Sequence, residues 1–383
     1  MLKLLLLCLG TSALLILSQN NNPVQRSYWG RTRHFFRDPA DIYMVIAIFW
    51  MAAFAFLRTN YNDTAAYING FRNARSLSEG FASGEYYDWM ENPLSSFYRD
   101  LMRSFTSNYH VYFMLPALLH SIALVKLCKR YSVNPGMSLL IYFCIGTYVM
   151  MFLAAFKQSM AMAFVLLALP YAEEKKYIRY SLLVLLAMLF HFYAIVYLAV
   201  PLLFGKPWGK STWLLLAITA FTLATYDATL GAVMQNVEEM GGNIAEEELF
   251  DGNSINVLRV AVYWVPGLLA LLFRKHVNYN CSRMDNLFVN LAILCACVLS
   301  IGLAEGANLY ARMAGYFEIA LAIALPYIIK KTFTKESGTF ISAVATMLFL
   351  GYFYYEFTVS KVFAGDYRAI TLGQFLLELL GLR

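Results

Sequence analysis

Several ionisable side chains in this sequence lie inside or beside long apolar runs, and three of them could carry chemistry: Lys157, His191 and Arg312. A charge at membrane depth costs about 2.5–3.5 kcal/mol on insertion scales, so such residues are usually kept for function. A lysine or arginine there is suited to binding an anion such as a phosphate. A histidine, with an ordinary pKa of about 6.5, can accept or donate a proton. Structural interpretations are also open, because Lys157 and Arg312 could extend to the membrane surface and His191 could be a hydrogen-bonded packing residue.

Residues 58–108 form a second group, with five Arg, no Lys and six acidic residues, a net charge of −1. Guanidinium groups bind phosphate and carboxylate through two parallel hydrogen bonds, which lysine cannot do. We therefore expect candidate bases and candidate cations in this segment and beside Lys157. The bases are Asp63, Glu91 and His191, and the cations or donors are Lys157, Gln158, Arg312, Arg58 and Arg72.

Known signatures of cofactor and metal sites are missing from the sequence. The five histidines and six cysteines show no metal-ligand spacing, and there is no P-loop, no GxGxxG after a strand and no GxSxG. We expect neither a metal nor a cofactor. The net charge of +6 comes from short basic clusters between apolar runs, so we expect no nucleic acid partner.

The composition fixes the class of protein that could position these residues. The chain is 60% hydrophobic and 14% charged, against about 45–50% and about 25% in soluble domains. A water-soluble enzyme is excluded. We predict an all-α polytopic membrane bundle that forms a single transmembrane domain over residues 1–383, with about 10–12 spans of about 20 residues each. The apolar runs are 2–18, 42–57, 111–125, 137–155, 159–172, 181–204, 213–230, 257–273, 287–303, 313–329 and 339–355.

The basic residues between these runs predict the orientation of the chain. Loops rich in Lys and Arg stay in the cytoplasm, and compact basic turns contain 18 of the 30 Lys and Arg residues. Two segments are then extracytoplasmic: residues 58–108 and the acidic loop 231–256, which has six acids and no Lys or Arg. We interpret residues 2–18 as a retained helix whose N-terminus lies outside, because a basic loop follows it.

Two tight or re-entrant hairpins follow from this arrangement. The run 181–204 lies between two basic turns, so both of its ends should lie on the same side of the membrane. Because the run is too short to cross twice, we predict a bend near His191. Residues 137–172 predict two spans joined by an outer turn at 156–159. Both tips, Lys157 with Gln158 and His191, would then face the outer side.

Within residues 58–108 the sequence predicts two helices. Asp63 or Thr64 can cap a short helix that carries Tyr67. The apolar residues of 94–105 recur at three- and four-residue spacing, which is typical of an amphipathic helix at the membrane surface; the alternative is a loop helix packed on the bundle.

Four segments resemble, in the same order, the motifs of the EpsG-like family of membrane proteins. They are LRTNYNDTAAYINGF at 57–71, ENPLSSFYRDLMRSF at 91–105, residues 156–198, in which a KQxxAxA helix, a basic turn and an apolar run ending in Phe-His follow one another, and NLYARMAGYFEIALAIALP at 308–326. Two positions depart from the family pattern, because Lys157 stands where Arg is usual and Asn92 lies between Glu91 and Pro93.

This family is similar to the Wzy-type polysaccharide polymerases of bacterial inner membranes. The resemblance implies a metal-independent glycosyltransferase that joins oligosaccharide repeats carried on undecaprenyl diphosphate, with its active site at the outer, periplasmic face. It implies roles for Asp63, Glu91 and His191 in catalysis, for the cations in diphosphate binding, and for Tyr67 and Tyr316 in binding the acceptor glycan. The implied partners are the lipid-linked glycan, the bilayer, a flippase and a chain-length regulator.

Three other functions are open on the sequence, one of them that of a structural or assembly membrane protein with no ligand of its own. An O-antigen-ligase-like or other lipid-linked-sugar glycosyltransferase would use the same groups but transfer only once. A non-enzymatic flippase or exporter of lipid-linked glycans is the second alternative. Transporters of this kind often show repeated halves with broken helices, and no internal repeat occurs here.

Overall fold

The computed structural model of the chain describes residues 2–21, 41–88, 91–146, 155–226, 228, 253–361 and 365–382, without the side chains of residues 20 and 21. These residues are almost entirely helical. The helices are α1 (Leu2–Asn21), α2 (Asp41–Phe56), α3 (Thr64–Arg72), α4 (Leu77–Ala82), α5 (Pro93–Phe105), α6 (Tyr109–Tyr131), α7 (Pro135–Cys144), α8 (Phe156–Glu173), α9 (Tyr177–Phe190), a 3₁₀ helix (Phe192–Leu203), α10 (Lys210–Ala224), α11 (Val257–Leu272), α12 (Arg274–Val277), α13 (Arg283–Ile301), α14 (Ala307–Gly315), α15 (Glu318–Thr332), α16 (Lys335–Thr358) and α17 (Leu372–Leu379). Two short strands, β1 (Arg58–Asn60) and β2 (Arg368–Ala369), pair antiparallel.

Local sequence signals explain where several of these helices begin. The Asn108 side chain accepts a hydrogen bond from the His110 amide and so caps α6. Ser282 and Asp285 form a reciprocal capping box at the start of α13, and Pro93 is at the first position of α5. Asn and Ser at the cap and Pro at the first helical position are the residues that helix starts favour.

The prediction of an all-α polytopic membrane bundle is confirmed. In the described part of the chain, four helices are long and apolar enough to cross a bilayer: residues 2–19 of α1, α6, α13 and α16. The pair α14 and α15 is a fifth candidate, bent by 57°. Six shorter apolar helices accompany them: α2, α7, α9, the 3₁₀ helix, α10 and α11. The long predicted run 181–204 is divided between α9 and the 3₁₀ helix, and the run 313–329 falls across α14 and α15.

The chain forms two compact units, one of Met1–Ile195 with Val344–Arg383 and the other of Val196–Ala343. The prediction of a single transmembrane domain stays a prediction. In the second unit α13 is central and almost wholly buried, and it packs on α10, α11, α14 and α15. Asn290 of α13 ties the chain before α10 to this core, because its Nδ2 donates to the carbonyl oxygens of Leu203 and Gly205, each at 2.8 Å.

The first unit has two chemically different ends. At one, which we call the basic end, Lys129 of α6 pairs with Asp41 of α2, and Arg130 Nη2 lies 2.9 Å from Glu173 Oε2 of α8. At the other, which we call the loop end, residues 58–108 connect α2 to α6. Helices α6 and α8 both run from the loop end to the basic end, because Tyr112 and Phe156 contact each other near their first turns at 4.8 Å between ring centroids.

Residues 231–252 of the predicted acidic loop 231–256 lie outside the described residues. Most of the connection between α7 and α8 lies outside them as well. The predicted outer turn at 156–159 is wrong. These residues form the first turn of α8, because the apolar pattern of α8 extends further toward its N-terminus than the single charge of Lys157 suggested.

Candidate functional site

The first turn of α8 lies beneath the loop elements. The ring of Phe156 is 5.4 Å from that of Tyr67 on α3 and 6.2 Å from that of Tyr98 on α5. The Tyr98 hydroxyl donates to the Tyr112 carbonyl at 2.7 Å, which satisfies a hydroxyl that is otherwise buried. This aromatic packing brings α3 and α5 to the start of α8, and therefore beside Lys157.

Lys157 is half-buried, and three loop residues act on its charge: Glu91, Arg99 and Glu85. Gln158, the next residue, is 1% exposed. Ser159 is the hydrogen-bond partner of His120, whose Nδ1 lies 3.0 Å from both the Ser159 hydroxyl and the Ser159 carbonyl oxygen. The first turn of α8 is thus held from below by α6 and surrounded by loop charges above.

The loop charges next to Lys157 form a connected network. Arg99 contacts both carboxylate oxygens of Asp100, at 2.7 and 3.1 Å, and Glu85 at 3.3 Å. The Tyr86 hydroxyl donates to Asp100 at 2.7 Å, and Arg75 lies 3.4 Å from Glu85. Because Arg99 binds both carboxylate oxygens of Asp100, this pair fixes both the position and the orientation of the Arg99 guanidinium.

The pKa values of this network follow from these contacts. Partial burial of Arg99 would lower its pKa, but the hydrogen bond and charge of Asp100 outweigh it, and the pKa of Arg99 is raised. Burial would raise the pKa of Glu85, yet the hydrogen bond from Ser96 and the charge of Arg99 leave that pKa below its ordinary value. Both groups are therefore held in their charged forms.

The predicted bend near His191 coincides with a break in the helix. Helix α9 ends at Phe190, His191 is extended, and the 3₁₀ helix starts at Phe192. The Phe192 amide donates to Asn92 Oδ1 at 3.0 Å. The Asn92 side chain therefore caps the start of the 3₁₀ helix beside His191. Asn92 has a φ of +57°, a left-handed conformation that Asn tolerates better than most residues. Glu91, which precedes it, is exposed.

Three loop arginines, Arg58, Arg72 and Arg103, lie over aromatic rings. Arg58 is 1% exposed, stacks 4.0 Å from the centroid of Phe113, and donates to the Ala55 carbonyl at 2.6 Å and to Thr64 Oγ1 at 3.1 Å. No carboxylate in the described part of the chain pairs with it, and its Nη2 is buried without an acceptor there. Burial lowers the pKa of Arg58 to about 10, which leaves it charged at neutral pH.

Arg72 and Asp63 lie at opposite ends of α3, and both are exposed. Arg72 is 5.8 Å from the ring centroid of Tyr109, a cation–π distance. Asp63 stands at the predicted cap position, but its side chain makes no capping hydrogen bond. Its carboxylate is therefore not engaged at the end of the helix.

Two sequence-predicted site residues belong to the second unit. Arg312 Nε donates to Asn308 Oδ1 at 2.9 Å, one turn back along α14. Tyr316 follows α14 and is 0% exposed, and its carbonyl accepts from the Tyr197 hydroxyl at 2.6 Å. A direct contact between the Tyr316 ring and a glycan is not available in this conformation.

The structure thus brings Lys157, Glu91 and the Asn92–His191 connection together at the loop end of the first unit. Sequence reasoning missed the Arg99–Asp100–Tyr86 network and the capping role of Asn92. An Asn directly before a proline was the available signal, because the residue before proline avoids the α conformation. Among the described residues, no three His, Cys, Asp or Glu side chains are grouped as metal ligands.

The sequence matches the EpsG family over residues 41–369, a range that includes the loop, α8, the break at His191 and Arg312. The chain belongs to the EpsG family. Membership of this family makes the chain a membrane protein of polysaccharide synthesis. Its general class is that of glycosyltransferase-like polymerases. Comparisons with curated proteins and with solved structures gave no match.

Proposed function

We propose that this EpsG-family chain is a Wzy-type polymerase that joins oligosaccharide repeats carried on undecaprenyl diphosphate. It would act in the bacterial inner membrane, with the loop end facing the periplasm or exterior, and without a metal. The products would be O-antigen, capsule or exopolysaccharide chains. A flippase would deliver the lipid-linked units, and a chain-length regulator would limit the product.

One observation carries this proposal: a half-buried lysine at the start of a bundle helix lies within electrostatic range of loop carboxylates and a guanidinium. Lys157 is acted on by Glu91, Glu85 and Arg99, at the end of the first unit opposite the basic turns. A fixed cation beside carboxylates is what glycosyl transfer from a diphosphate needs, since one group stabilises the leaving group and another accepts a proton.

The proposed reaction has one bond made and one broken. The acceptor hydroxyl attacks the anomeric carbon of the donor sugar, and the bond from that carbon to the diphosphate oxygen breaks. The proton of the hydroxyl passes to a base, Asp63, Glu91 or His191. The electron pair leaves with the lipid diphosphate, whose charge Lys157 stabilises.

The remaining groups have supporting roles in the proposal. Arg72 is a further diphosphate donor, and Tyr67 contacts the acceptor glycan. Gln158 is 1% exposed, so it would support the neighbouring Lys157 and not contact the diphosphate itself. Arg58 is too buried to touch a ligand directly, so it would contribute as a fixed positive charge, which acts more strongly in a weakly polar interior than in water. In the second unit Arg312 remains a candidate for the diphosphate, whereas the buried ring of Tyr316 does not contact the glycan directly.

The test of this function is a reaction with purified components. The protein in nanodiscs receives a lipid-linked repeat unit, and the products are separated by size. A ladder of repeats is expected. A single added unit would indicate the ligase-like alternative, and flipping without a new glycosidic bond would indicate a transporter; either result would overturn the proposal.

The choice of base is tested with three conservative variants: Asp63→Asn, Glu91→Gln and His191→Asn. The base variant should lose most of the kcat of the wild type and also the acidic limb of its pH–rate profile, because that limb reports protonation of the base. A variant that is correctly inserted and keeps both its rate and its pH profile removes that residue as the base.

A further inference from the structure

The last described segment, residues 365–382, closes the base of the extramembrane loop. Strand β2 pairs with β1, and the Ile370 amide donates to the Leu57 carbonyl at 3.0 Å. The Tyr367 hydroxyl donates to the Phe54 carbonyl at 2.6 Å, and the two rings stack with centroids 4.1 Å apart. These bonds satisfy backbone carbonyls at the end of α2, where helices leave such groups without intrahelical partners.

The same segment also contacts the other end of the loop. Phe375 of α17 is buried, with its ring 5.3 Å from that of Phe56 and 6.0 Å from that of His110. Asn108 Nδ2 lies 3.4 Å from Glu378 Oε2. The segment, which we call the C-terminal strap, therefore ties the point where the loop starts to the point where it ends.

Helix α17 has two different flanks on either side of its buried Phe375. Gln374 and Glu378 lie on one flank, one turn apart. The other flank is apolar and exposed, with Leu376 50% and Leu380 71% exposed. Its remaining exposed leucines are Leu372, Leu377 and Leu379.

The position of α17 identifies what covers this leucine flank. Phe375 packs on Phe56, the last residue of the apolar helix α2, so α17 lies beside the end of an apolar helix. Residues 370–377 contain no charged side chain. A short helix with one polar and one leucine flank, set at the end of an apolar helix, matches the interfacial class that lies in the plane of the bilayer surface. In water, an exposed apolar surface of this kind would be unfavourable.

We propose that the leucine flank of α17 lies in the lipid of the bilayer surface at the loop end. The strap would then set how deeply the two ends of residues 58–108 lie relative to the bilayer. It would thereby also set the height of these residues above the membrane. The ligand class is a lipid surface, not a protein partner. This inference goes beyond the proposed function and does not depend on it.

Spin labels placed on the two flanks of α17 test the inference in nanodiscs. The background is Cys281→Ala, because the other five cysteines are buried. Labels at Leu376→Cys and Leu380→Cys should collide more often with oxygen, which concentrates in lipid, than with a water-soluble nickel complex. The matched control on the polar flank, Glu378→Cys, should show the reverse.

Two outcomes would overturn the inference. Dominance of the nickel complex at both leucine positions would mean that the flank faces water. Low collision rates with both reagents at Leu376 and Leu380 would mean that protein covers it, either a second copy or another chain. A third label at Leu377→Cys gives the same comparison should one of the first two variants fail to insert, and the assay requires no polymerase activity.

Discussion

The two ends of the first unit use charge in different ways. At the basic end, lysines and arginines pair directly with carboxylates from neighbouring helices, as Arg130 does with Glu173. At the loop end, the arginine–carboxylate pairs lie within the loop, as Arg99 with Asp100, whereas Arg58 and Arg72 lie over aromatic rings. Lys157 is acted on by the charges of this loop. Ion pairs between helices hold a bundle together, whereas cations held by rings keep their charge available to a ligand. This difference is why we place the reaction at the loop end.

The largest expected effect comes from removing the cation at the loop end. Lys157→Ala should lower the polymerisation rate by about 10²–10³-fold, the usual cost of losing one group that stabilises a developing negative charge. Lys157→Arg keeps the charge and should keep most of the activity. Rates are measured on purified protein with lipid-linked units.

The matched control for this variant is Lys176→Ala at the opposite end. Lys176 is exposed and pairs with Glu174 at 2.7 Å, and surface pairs contribute little to stability. Its removal should leave the rate near wild type. Equal rates for Lys157→Ala and Lys176→Ala would contradict the assignment of the diphosphate site to the loop end.

The second effect concerns the stability of the loop. Asp100→Asn removes the charge that orients Arg99 and should destabilise α5 by about 1.5–3 kcal/mol, the range for hydrogen bonds to charged groups. The measurement is hydrogen exchange of the α5 amides. The control is Asp366→Asn, because the Asp366–Arg368 pair has a similar distance, 2.6 Å, but is largely exposed; its loss should cost at most about 1 kcal/mol.

A third prediction concerns the break beside His191. Asn92→Gly removes the acceptor for the Phe192 amide but keeps the left-handed backbone, and should cost about 1 kcal/mol. Asn92→Ala should cost about 1–2 kcal/mol more, because alanine is strained in that conformation. Exchange of the Phe192 amide reports both effects. Equal exchange in Asn92→Gly and wild type would show that the hydrogen bond does not hold the break.

The sequence predicted the apolar helices of the bundle well, because they lie within the apolar runs and the charges between runs are clear. It also predicted α5 from the spacing of Leu94, Phe97, Leu101 and Phe105. The break at His191 followed from the basic turns on both sides of residues 181–204 and from a length too short to cross twice.

Contacts between distant parts of the chain could not be predicted in the same way. The pairing of β1 with β2 joins residues about 310 positions apart, and strands of two or three residues carry no periodic signal. The burial of Arg58 and Tyr316 also depends on tertiary packing. An arginine in an Arg-rich loop suggested exposure, and nothing local to Arg58 indicated that Phe113 would cover it.

The smallest effect is a pH dependence confined to the loop. The pKa of Glu85 is lower in the folded protein than its ordinary value of about 4.3, so the unfolded loop binds more protons near that pH. The stabilisation from Glu85 is complete above its ordinary pKa and is lost as the pH falls through the lowered value. The expected loss of loop stability is below about 1 kcal/mol, because partly exposed pairs are screened by solvent. Hydrogen exchange of α5 across this range should show a shallower acid dependence in Glu85→Gln than in wild type, and identical slopes would mean that the Arg99–Glu85 contact adds nothing to the network around Lys157.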